Sequence, residues 1–465
     1  MSSTFFGLSI ANSGLAAQRR AMDVLGYNIA HANDPTYKRQ RVVMTENGVL
    51  AQSQESTSLG VSPTGSGVSA GDVERVRDAL IENRVRQATE ASANWAYKSQ
   101  TMRQLESTIA EPSDTGLQSD LDSFWASWQK VATSPESLPI RSALLEDASA
   151  LCQRIQYEYS QMTNTVDDLN TALLDRVNRV NLIGEEIARL NNEIGAMGTG
   201  EIPVNDLQNR RDALVVELSK LASVSQHDEG GAGVIISIGG RVLVQGSRFN
   251  AIKCETVTGG NQVIQWASDD QEVVNTGGEL GAITDLRDQT IPEYLADLDN
   301  IASSLVERVN TMHRSGKTIS GADGGDFFRA GTTAGNISLD ASIVNHPELV
   351  AASTSGAIGD GEKARAIAAI KDEPVSGGLT IDQLYRALVG EIGGAAATAD
   401  RQSAAHQLSL DQFTTQQQSV SGVSLDEEMT NMIKFQQAYN ASARLVTVMD
   451  EMLGVLIQQT GSVGR

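Results

Sequence analysis

The stretch NIAHANDPTYKRQ, residues 28–40, ends a long apolar-periodic segment near the start of the sequence. Pro35 disfavours helical geometry at Asp34 and cannot donate a hydrogen bond to the preceding turn. Asn33 and Asp34 readily adopt turn conformations. The stretch therefore predicts that a helix ends here and that a loop follows, in which Tyr37 offers a large amphipathic contact.

The helix that ends at this stretch is predicted by an apolar row that repeats every seven residues. Such a row is typical of a helix that packs along another helix. The last predicted helix, residues 425–457, carries the same repeat, so both ends of the sequence are predicted to form heptad helices able to pack side by side. The candidate axial packing residues are Leu8, Leu15, Met22 and Ile29 in the first helix and Leu425, Met432, Tyr439, Val446 and Leu453 in the last.

A third heptad pattern predicts a very long helix from about residue 140 to residue 197. Its two apolar rows are interrupted only at Arg176. Further on, Gly239-Gly240 and Gly259-Gly260 each separate two short strand-like runs, which is the signal of a tight antiparallel hairpin. These patterns predict a mainly α, elongated protein, with paired terminal heptad helices, a long helical bundle or coiled-coil middle and a small antiparallel β insertion.

The same patterns divide the chain into four predicted parts. They are a terminal coiled-coil axial domain (1–40 and 420–465), a helical rod-like domain (41–228, 284–315 and 378–419), a β insertion domain (229–283) and a Gly-rich loop region packed on the helical domain (316–377).

Four local features complete the plan. The Ser/Gly-rich residues 43–72 are expected to form an extended loop or hairpin, and a helical pattern resumes at Val73. Asn205 is a candidate N-cap for the helix that follows the long one. The turn at residues 323–326 is expected to deliver Phe327 and Phe328 to a packing site. A further helix is expected from about Thr284.

Composition and charge argue against several classes of partner and location. The 465 residues carry a formal net charge of −22 and have a pI of about 4.6. This acidity argues against nucleic acid or an anionic membrane surface as a partner, because both attract clustered Lys and Arg. No apolar run approaches the roughly 18 residues that a membrane span needs. The N-terminus lacks the pattern of a cleavable signal peptide, and Cys152 and Cys254 are expected to be free thiols.

The chemistry of an enzyme is hard to find in this sequence. SGKT at residues 315–318 resembles the end of a phosphate-binding loop, but Thr311 stands where that loop needs Gly. HDE at residues 227–229 has no second His or Cys nearby to complete a metal site, and a solvated turn is the favoured interpretation. We therefore predict no enzymatic activity, no cofactor and no metal site.

The opening stretch resembles the N-terminal signature of bacterial flagellar axial proteins. In that family a heptad helix ends in an Asn-rich turn with Pro and Tyr, followed by basic residues. The residues that match this signature are Asn28, Ile29, Ala30, Ala32, Asn33, Pro35, Tyr37 and Arg39. Tyr27, His31 and Thr36 depart from the family pattern.

The far end of the sequence narrows the resemblance to the hook-associated protein 1 family. There, Asp-Glu-Glu precedes a helix with Phe-Gln-Gln-x-Tyr, and the matching residues are Asp426, Glu427, Phe435, Gln436 and Gln437. Residues 73–88, 111–128, 205–221 and 323–328 also resemble that family, so the resemblance runs nearly end to end.

The resemblance implies a structural part at the junction between the hook and the filament of the flagellum, where it allows filament assembly. It implies hook protein, hook-associated protein 3 and further copies of the chain as partners. It also implies export by the flagellar type III apparatus without a cleaved signal peptide, and an export chaperone bound to the C-terminal helix.

Three alternatives stay open at this stage. A hook or distal-rod axial protein shares the N-terminal signature, although the Phe435-Gln436-Gln437 motif and the long middle helix argue against it. An enzyme could use Lys317 to bind nucleotide or paired acidic residues to hydrolyse cell wall. A soluble coiled-coil scaffold explains the heptads but does not explain why the first helix stops at an Asn-Pro-Tyr loop.

Overall fold

The structure is a computed structural model that describes residues 4–46, 67–109, 111, 116–198, 200–230, 233–257, 260–274 and 276–460, with the side chains of 4–6, 229–230 and 456–460 excepted. The described chain is mainly α, with small antiparallel sheets, as the sequence predicts. The helices are α1 (Thr4–Ala30), α2 (Ala79–Ile109), α3 (Leu117–Thr133), α4 (Leu138–Met197), α5 (Ile202–Leu221), α6 (Gly278–Asp285), α7 (Ile291–Arg314), α8 (Glu362–Ala369), α9 (Ile381–Ser421) and α10 (Leu425–Thr460). The strands are β1 (Gln40–Glu46), β2 (Val68–Arg75), β3 (Val224–Gly230), β4 (Gly233–Ile238), β5 (Arg241–Gln245), β6 (Arg248–Phe249), β7 (Ile252–Thr256) and β8 (Gln262–Trp266).

The long helix α4 organises the helical part of the molecule. Its 60 residues span about 90 Å at the usual rise per residue. It packs against α3, α5, α6 and α7, while α2 lies along α9 and α1 lies along α10. The apolar rows predicted from the heptads are mostly buried, and Arg176, which interrupts one row, is paired with Glu279 of α6. A charged side chain is accommodated in the row because an opposite charge meets it there.

The β insertion forms two antiparallel sheets. One has the strand order β3-β4-β5-β6, and the other is the hairpin of β7 and β8. Gly239 and Gly240 join β4 to β5 with φ angles of +58° and +79°, a conformation that a side chain would disfavour. This confirms the first predicted Gly-Gly hairpin. The pairing of β7 with β8 confirms the second, although Gly259 lies outside the described residues.

The segment of residues 43–73 forms a strand pair where the sequence predicted a loop or hairpin followed by a helix. Strands β1 and β2 pair antiparallel, as a hairpin requires, and residues 47–66 between them lie outside the described residues. Val73 lies in β2, so the prediction that a helix resumes there is wrong. Helix α2 begins at Ala79, where the carboxylate of Asp78 accepts hydrogen bonds from the N–H groups of Leu80 and Ile81. The pattern at Val73 was apolar because the strand buries that side chain.

Three further local predictions are wrong. Asn205 is not an N-cap, because α5 begins at Ile202 after Glu201, and Asn205 lies inside its first turn. The HDE stretch lies in β3 rather than in a turn. The helix expected from Thr284 begins at Gly278 and passes through one π-helical turn, Leu286–Thr290, before α7.

The Gly-rich region delivers two phenylalanines to the core, as predicted. Phe327 and Phe328 are fully buried, and both rings contact Phe124 of α3. His313 lies beside Phe327, where its Nδ1 is 2.8 Å from the carbonyl oxygen of Gly325. Burial lowers the pKa of His313 to about 4, so the imidazole is neutral at physiological pH.

Thr380 is expected to stabilise the long helix α9. Its hydroxyl accepts a hydrogen bond from the N–H of Gln383, and the Gln383 side chain accepts one from the N–H of Thr380, which is a complete capping box. We expect Thr380→Ala to lower the free energy of unfolding by about 1 kcal/mol, as measured by urea titration. Thr398→Ala, at an exposed site within α9, is the control, and an equal loss in both variants would contradict a capping role.

Candidate functional site

The terminal helices α1 and α10 pack antiparallel in one register. A Cβ placed on Gly7 would lie 2.6 Å from Met449 Cε, and a Cβ on Gly14 would lie 3.4 Å from Ser442 Oγ. Seven residues forward on α1 therefore correspond to seven residues back on α10. The absent side chains of the two glycines allow the helices to approach closely along this seam.

The predicted heptad rows lie at the border of this seam rather than at its centre. The fully buried positions of α1 are instead mostly small or branched, namely Ala11, Ala17, Ala21, Val24 and Leu25. Two helices cover only part of each other, so a row at the border keeps apolar surface in contact with solvent. The row residues that are half-buried are Leu8, Leu15, Met22 and Ile29 of α1 and Met432, Tyr439, Val446 and Leu453 of α10, whereas Leu425 is exposed.

Helix α10 also carries a second apolar surface that the sequence analysis did not separate from the first. We call it the outer stripe, and its side chains are all exposed. Their spacing of three or four residues within each half of the helix was the signal that could have revealed it. The outer stripe consists of Met429, Ile433, Leu445, Val448, Met452 and Val455.

Asn28 is the centre of the joint between the terminal pair and the rest of the chain. Its side chain is fully buried. The amide nitrogen donates to the carbonyl oxygen of Gln40 (2.9 Å) and to the carboxylate of Glu428 (2.8 Å). The amide oxygen accepts from the hydroxyl of Tyr37 (2.7 Å) and from the N–H of Gln40 (3.0 Å). Both donors and both acceptor sites of one amide are thus used.

A second contact fixes the loop to the start of α10. Arg39 Nε lies 2.8 Å from Glu428, which is fully buried, and Arg39 also bonds to Glu427 at 3.0 Å. The N–H of Arg39 donates to the carbonyl oxygen of Ser421 (2.9 Å). Arg39, the basic residue that follows the Pro-Tyr loop, therefore fixes the beginning of the last helix.

The joint is also tied to the helical domain through α5. The hydroxyl of Tyr27 donates to Asp206, and Asn205 Nδ2 donates to the side-chain oxygen of Gln40 (3.1 Å) and to the carbonyl oxygen of Val73 (2.8 Å). Burial, with the bond to Asp206, raises the pKa of Tyr27 to about 12. Asn205, proposed from sequence as a cap, thus connects α5 to both strands of the hairpin.

Two departures from the family signature pack on its tyrosine. The ring of His31 stacks on Tyr37 with centroids 5.0 Å apart, and Tyr27 lies 4.3 Å from His31. Thr36, the third departure, does not have the positive φ that would favour glycine. The carboxylate of Asp34 accepts hydrogen bonds from its N–H (2.8 Å) and its hydroxyl (2.7 Å). The loop geometry is built by Asp34 instead.

The other signature residues are less enclosed. Asn33 and Pro35 are exposed at the turn, and Asp426 is exposed at the first turn of α10. Phe435 is half-buried in the middle of α10, with Gln436 and Gln437 exposed beside it. The structure therefore gathers Asn28, Tyr37, Arg39 and Glu427 at one joint and leaves the Phe-Gln-Gln motif along the helix.

The residues considered for nucleotide binding are engaged elsewhere. The N–H groups of Gly316, Lys317 and Thr318 donate to backbone carbonyls of His313, Ser353 and Ala322. A phosphate-binding loop needs such groups free to point at the ligand. The ammonium group of Lys317 is paired with Asp323.

No cluster of three His, Cys, Asp or Glu side chains among the described residues has the geometry to hold a metal ion. None of the described helices combines the length and the apolar character that crossing a bilayer demands.

Known proteins resemble the chain over its whole length. Residues 102–328 match the family described as flagellar hook-associated protein FlgK helical domain, and residues 416–459 match flagellar basal body rod FlgEFG protein C-terminal. Flagellar hook-associated protein 1 of Bacillus subtilis is 31% identical over 511 residues, which cover 100% of both chains. The Escherichia coli protein of that name is 25% identical over 554 residues, covering 96% of this chain and 98% of its own.

A solved structure supports the same fold. The flagellar hook junction protein FlgK from Burkholderia pseudomallei superposes with a TM-score of 0.66 at 16% identity, and the match covers 73% of this chain and 100% of that one. The full-length relative at 31% identity supports membership of its family in addition to the shared fold. The chain belongs to the flagellar hook-associated protein 1 family, whose members are structural proteins of the bacterial flagellum.

Proposed function

We propose that this chain forms the junction between the hook and the filament of the bacterial flagellum and thereby allows the filament to assemble. The observation that carries the proposal is the end-to-end relationship to flagellar hook-associated protein 1 of Bacillus subtilis. The terminal helix pair adds physical support, because its apolar surface is only partly covered within one chain.

The axial packing residues are proposed to contact neighbouring subunits in the flagellum. The half-buried rows and the outer stripe together give the pair two apolar sides, and a helix with apolar residues on both sides needs more than one neighbour. Residues 1–40 and 420–465 are accordingly proposed as the axial domain. The proposed partners are hook protein, hook-associated protein 3 and further copies of this chain, and neither nucleic acid nor membrane.

Before assembly the same surface needs protection from solvent. We propose that an export chaperone covers the apolar side of α10, since Met429, Val448 and Met452 are exposed there. The chain is proposed to leave the cell through the flagellar type III apparatus without a cleaved signal peptide. No enzymatic activity and no cofactor are assigned to it.

Deletion of the gene in its host tests the proposal. We expect hooks to be present, filaments to be absent and flagellin monomer to accumulate in the medium, as followed by electron microscopy and immunoblotting. Loss of hooks as well would favour the alternative, a hook or distal-rod axial protein. Normal filaments would contradict both assignments, and a plasmid copy of the gene is the control for effects on its neighbours.

A further inference from the structure

Strand β3 is an open edge of its sheet. Within the part of the chain that the structure describes it pairs with β4 alone, and β6 forms the opposite edge. Among the described residues, no backbone group of 224–228 bonds to a partner other than β4, whereas Ser223 just before them donates to the carbonyl oxygen of Thr276. An exposed edge of this kind presents unpaired N–H and C=O groups that can pair with another strand.

A groove runs along this edge. It has a volume of about 630 Å³ and lies between β3 and the first turns of α2. Six consecutive residues, 223–228, line it. Successive side chains of a strand point to opposite faces, so a groove on one face would be lined by alternate residues. A groove lined by all six, with the Gly239-Gly240 turn at one end and no residue of β4 itself, lies at the backbone edge.

The helix α2 forms the opposite wall and runs along the strand. Arg77 reaches Asp228 at 3.4 Å near one end, and Glu90 approaches Ser223 at the other. The wall therefore accompanies the edge over its whole length. Both contacts bridge the groove, so a segment that adds to β3 must lie between them or displace them.

Arg86 gives the groove a preference for a negatively charged group on the bound segment. Its side chain lines the groove, and its buried Nε atom has no hydrogen-bond partner among the described residues. Three carboxylates also line the groove. Glu82 and Asp228 are paired with Arg77 at 3.3 Å and 3.4 Å, and Glu90 accepts a hydrogen bond from Ser223. No carboxylate in the described part of the chain forms an ion pair with Arg86. Burial lowers the pKa of its guanidinium, which is the expected effect of incomplete compensation.

Leu80 gives the groove an apolar rim. Its side chain is 77% exposed, the second most exposed large apolar side chain of the described residues. A strand laid against β3 would cover it, since both line the same groove.

We propose that the groove between α2 and β3 binds an extended acidic segment of a second protein chain by strand addition to β3. Backbone groups of the segment pair with the free edge of β3. A carboxylate of the segment pairs with Arg86, and an apolar side chain covers Leu80. In strand addition the main-chain bonds supply affinity and the flanking contacts supply specificity.

The probe is a phage-displayed library of random peptides of about twelve residues, long enough to span β3 at about 3.4 Å per residue. It is selected on the full-length protein. We expect the enriched peptides to carry Asp or Glu and to slow hydrogen exchange at alternate amides of residues 224–228. Lack of enrichment, or binding that leaves exchange in β3 unchanged, would overturn the proposal, as would enrichment of peptides that bind as helices.

Variants separate the contributions. Arg86→Glu is expected to abolish binding of the enriched peptides, and replacing their acid with Lys is expected to restore it. Leu80→Ser changes only an exposed side chain and should weaken binding about tenfold, equivalent to about 1.4 kcal/mol. Leu182→Ser, on exposed surface of α4, is the matched control and should bind as the wild type does. Equal affinity of the wild type and Leu80→Ser would contradict the groove as the site.

Discussion

Asn28→Ala is expected to release the terminal helix pair from the rest of the molecule. The free energy needed to open the joint should fall by about 3–5 kcal/mol. The substitution removes four hydrogen bonds at once. It leaves the backbone N–H and carbonyl of Gln40 buried without partners, and it removes one of the partners of the Tyr37 hydroxyl, which also bonds to the Gln40 side chain. Each buried group left unpaired costs about 1–3 kcal/mol. Glu428 loses one of its two partners and keeps Arg39.

Hydrogen exchange measured by mass spectrometry distinguishes a local effect from a global one. We expect faster exchange in residues 8–40 and 425–455 of Asn28→Ala, with unchanged protection in α4. Asn33→Ala changes an exposed Asn of the same loop and should stay within about 0.5 kcal/mol of the wild type. Unchanged exchange in the terminal helices of Asn28→Ala would show that Asn28 does not hold the joint.

Sequence periodicity was sufficient for the elements whose stabilisation is local. The heptads of α4 and the glycines between β4 and β5 each carry their own geometric signal, and the structure confirms both. The helix predicted from Val73 was wrong because a buried valine is equally compatible with a helix and with a strand. The pairing of Val73 with Val42 is a contact between separated segments that no short window contains.

The joint illustrates the same limit for a site. Asn28, Tyr37 and Arg39 could be singled out because they resemble a known signature. Glu428 could not be assigned its role, because it lies 400 residues from Asn28 and resembles the other acids at the start of α10. Asn205 was predicted to use its amide as a helix N-cap, but the amide bonds to β1 and β2 instead. An amide that can cap a helix can equally bridge two strands, so the sequence does not distinguish the two roles.

The middle of α4 contains a buried carboxyl that is expected to make stability depend on pH. Glu158 is almost completely buried, and the hydroxyl of Tyr385 in α9 donates to its Oε1 at 3.1 Å. Its Oε2 has no hydrogen-bond partner in the part of the chain that the structure describes. Burial, with a contribution from the nearby charge of Glu111, raises the pKa of Glu158 to about 8. The carboxyl is therefore largely protonated at neutral pH in the folded chain.

The sign of the effect follows from the two states of the chain. In the unfolded chain Glu158 ionises near its ordinary pKa of 4.5, whereas in the folded chain it holds its proton to about pH 8. Between these values the folded state binds more protons, so the free energy of unfolding falls as pH rises. The contribution of Glu158 is complete below about pH 4.5 and is lost progressively up to about pH 8.

Glu158→Gln is expected to remove this dependence. An amide has nearly the shape of the protonated acid and does not ionise, so the variant should match the wild type near pH 4 and exceed it by about 4 kcal/mol at pH 8. Guanidinium titrations at a series of pH values measure the difference, with Glu185→Gln as a control at an exposed position of α4. A constant difference between variant and wild type across the pH range would mean that Glu158 is ionised in the folded chain. Tyr385 would then have to stabilise a buried charge through a single hydrogen bond, which the burial of Glu158 makes unfavourable.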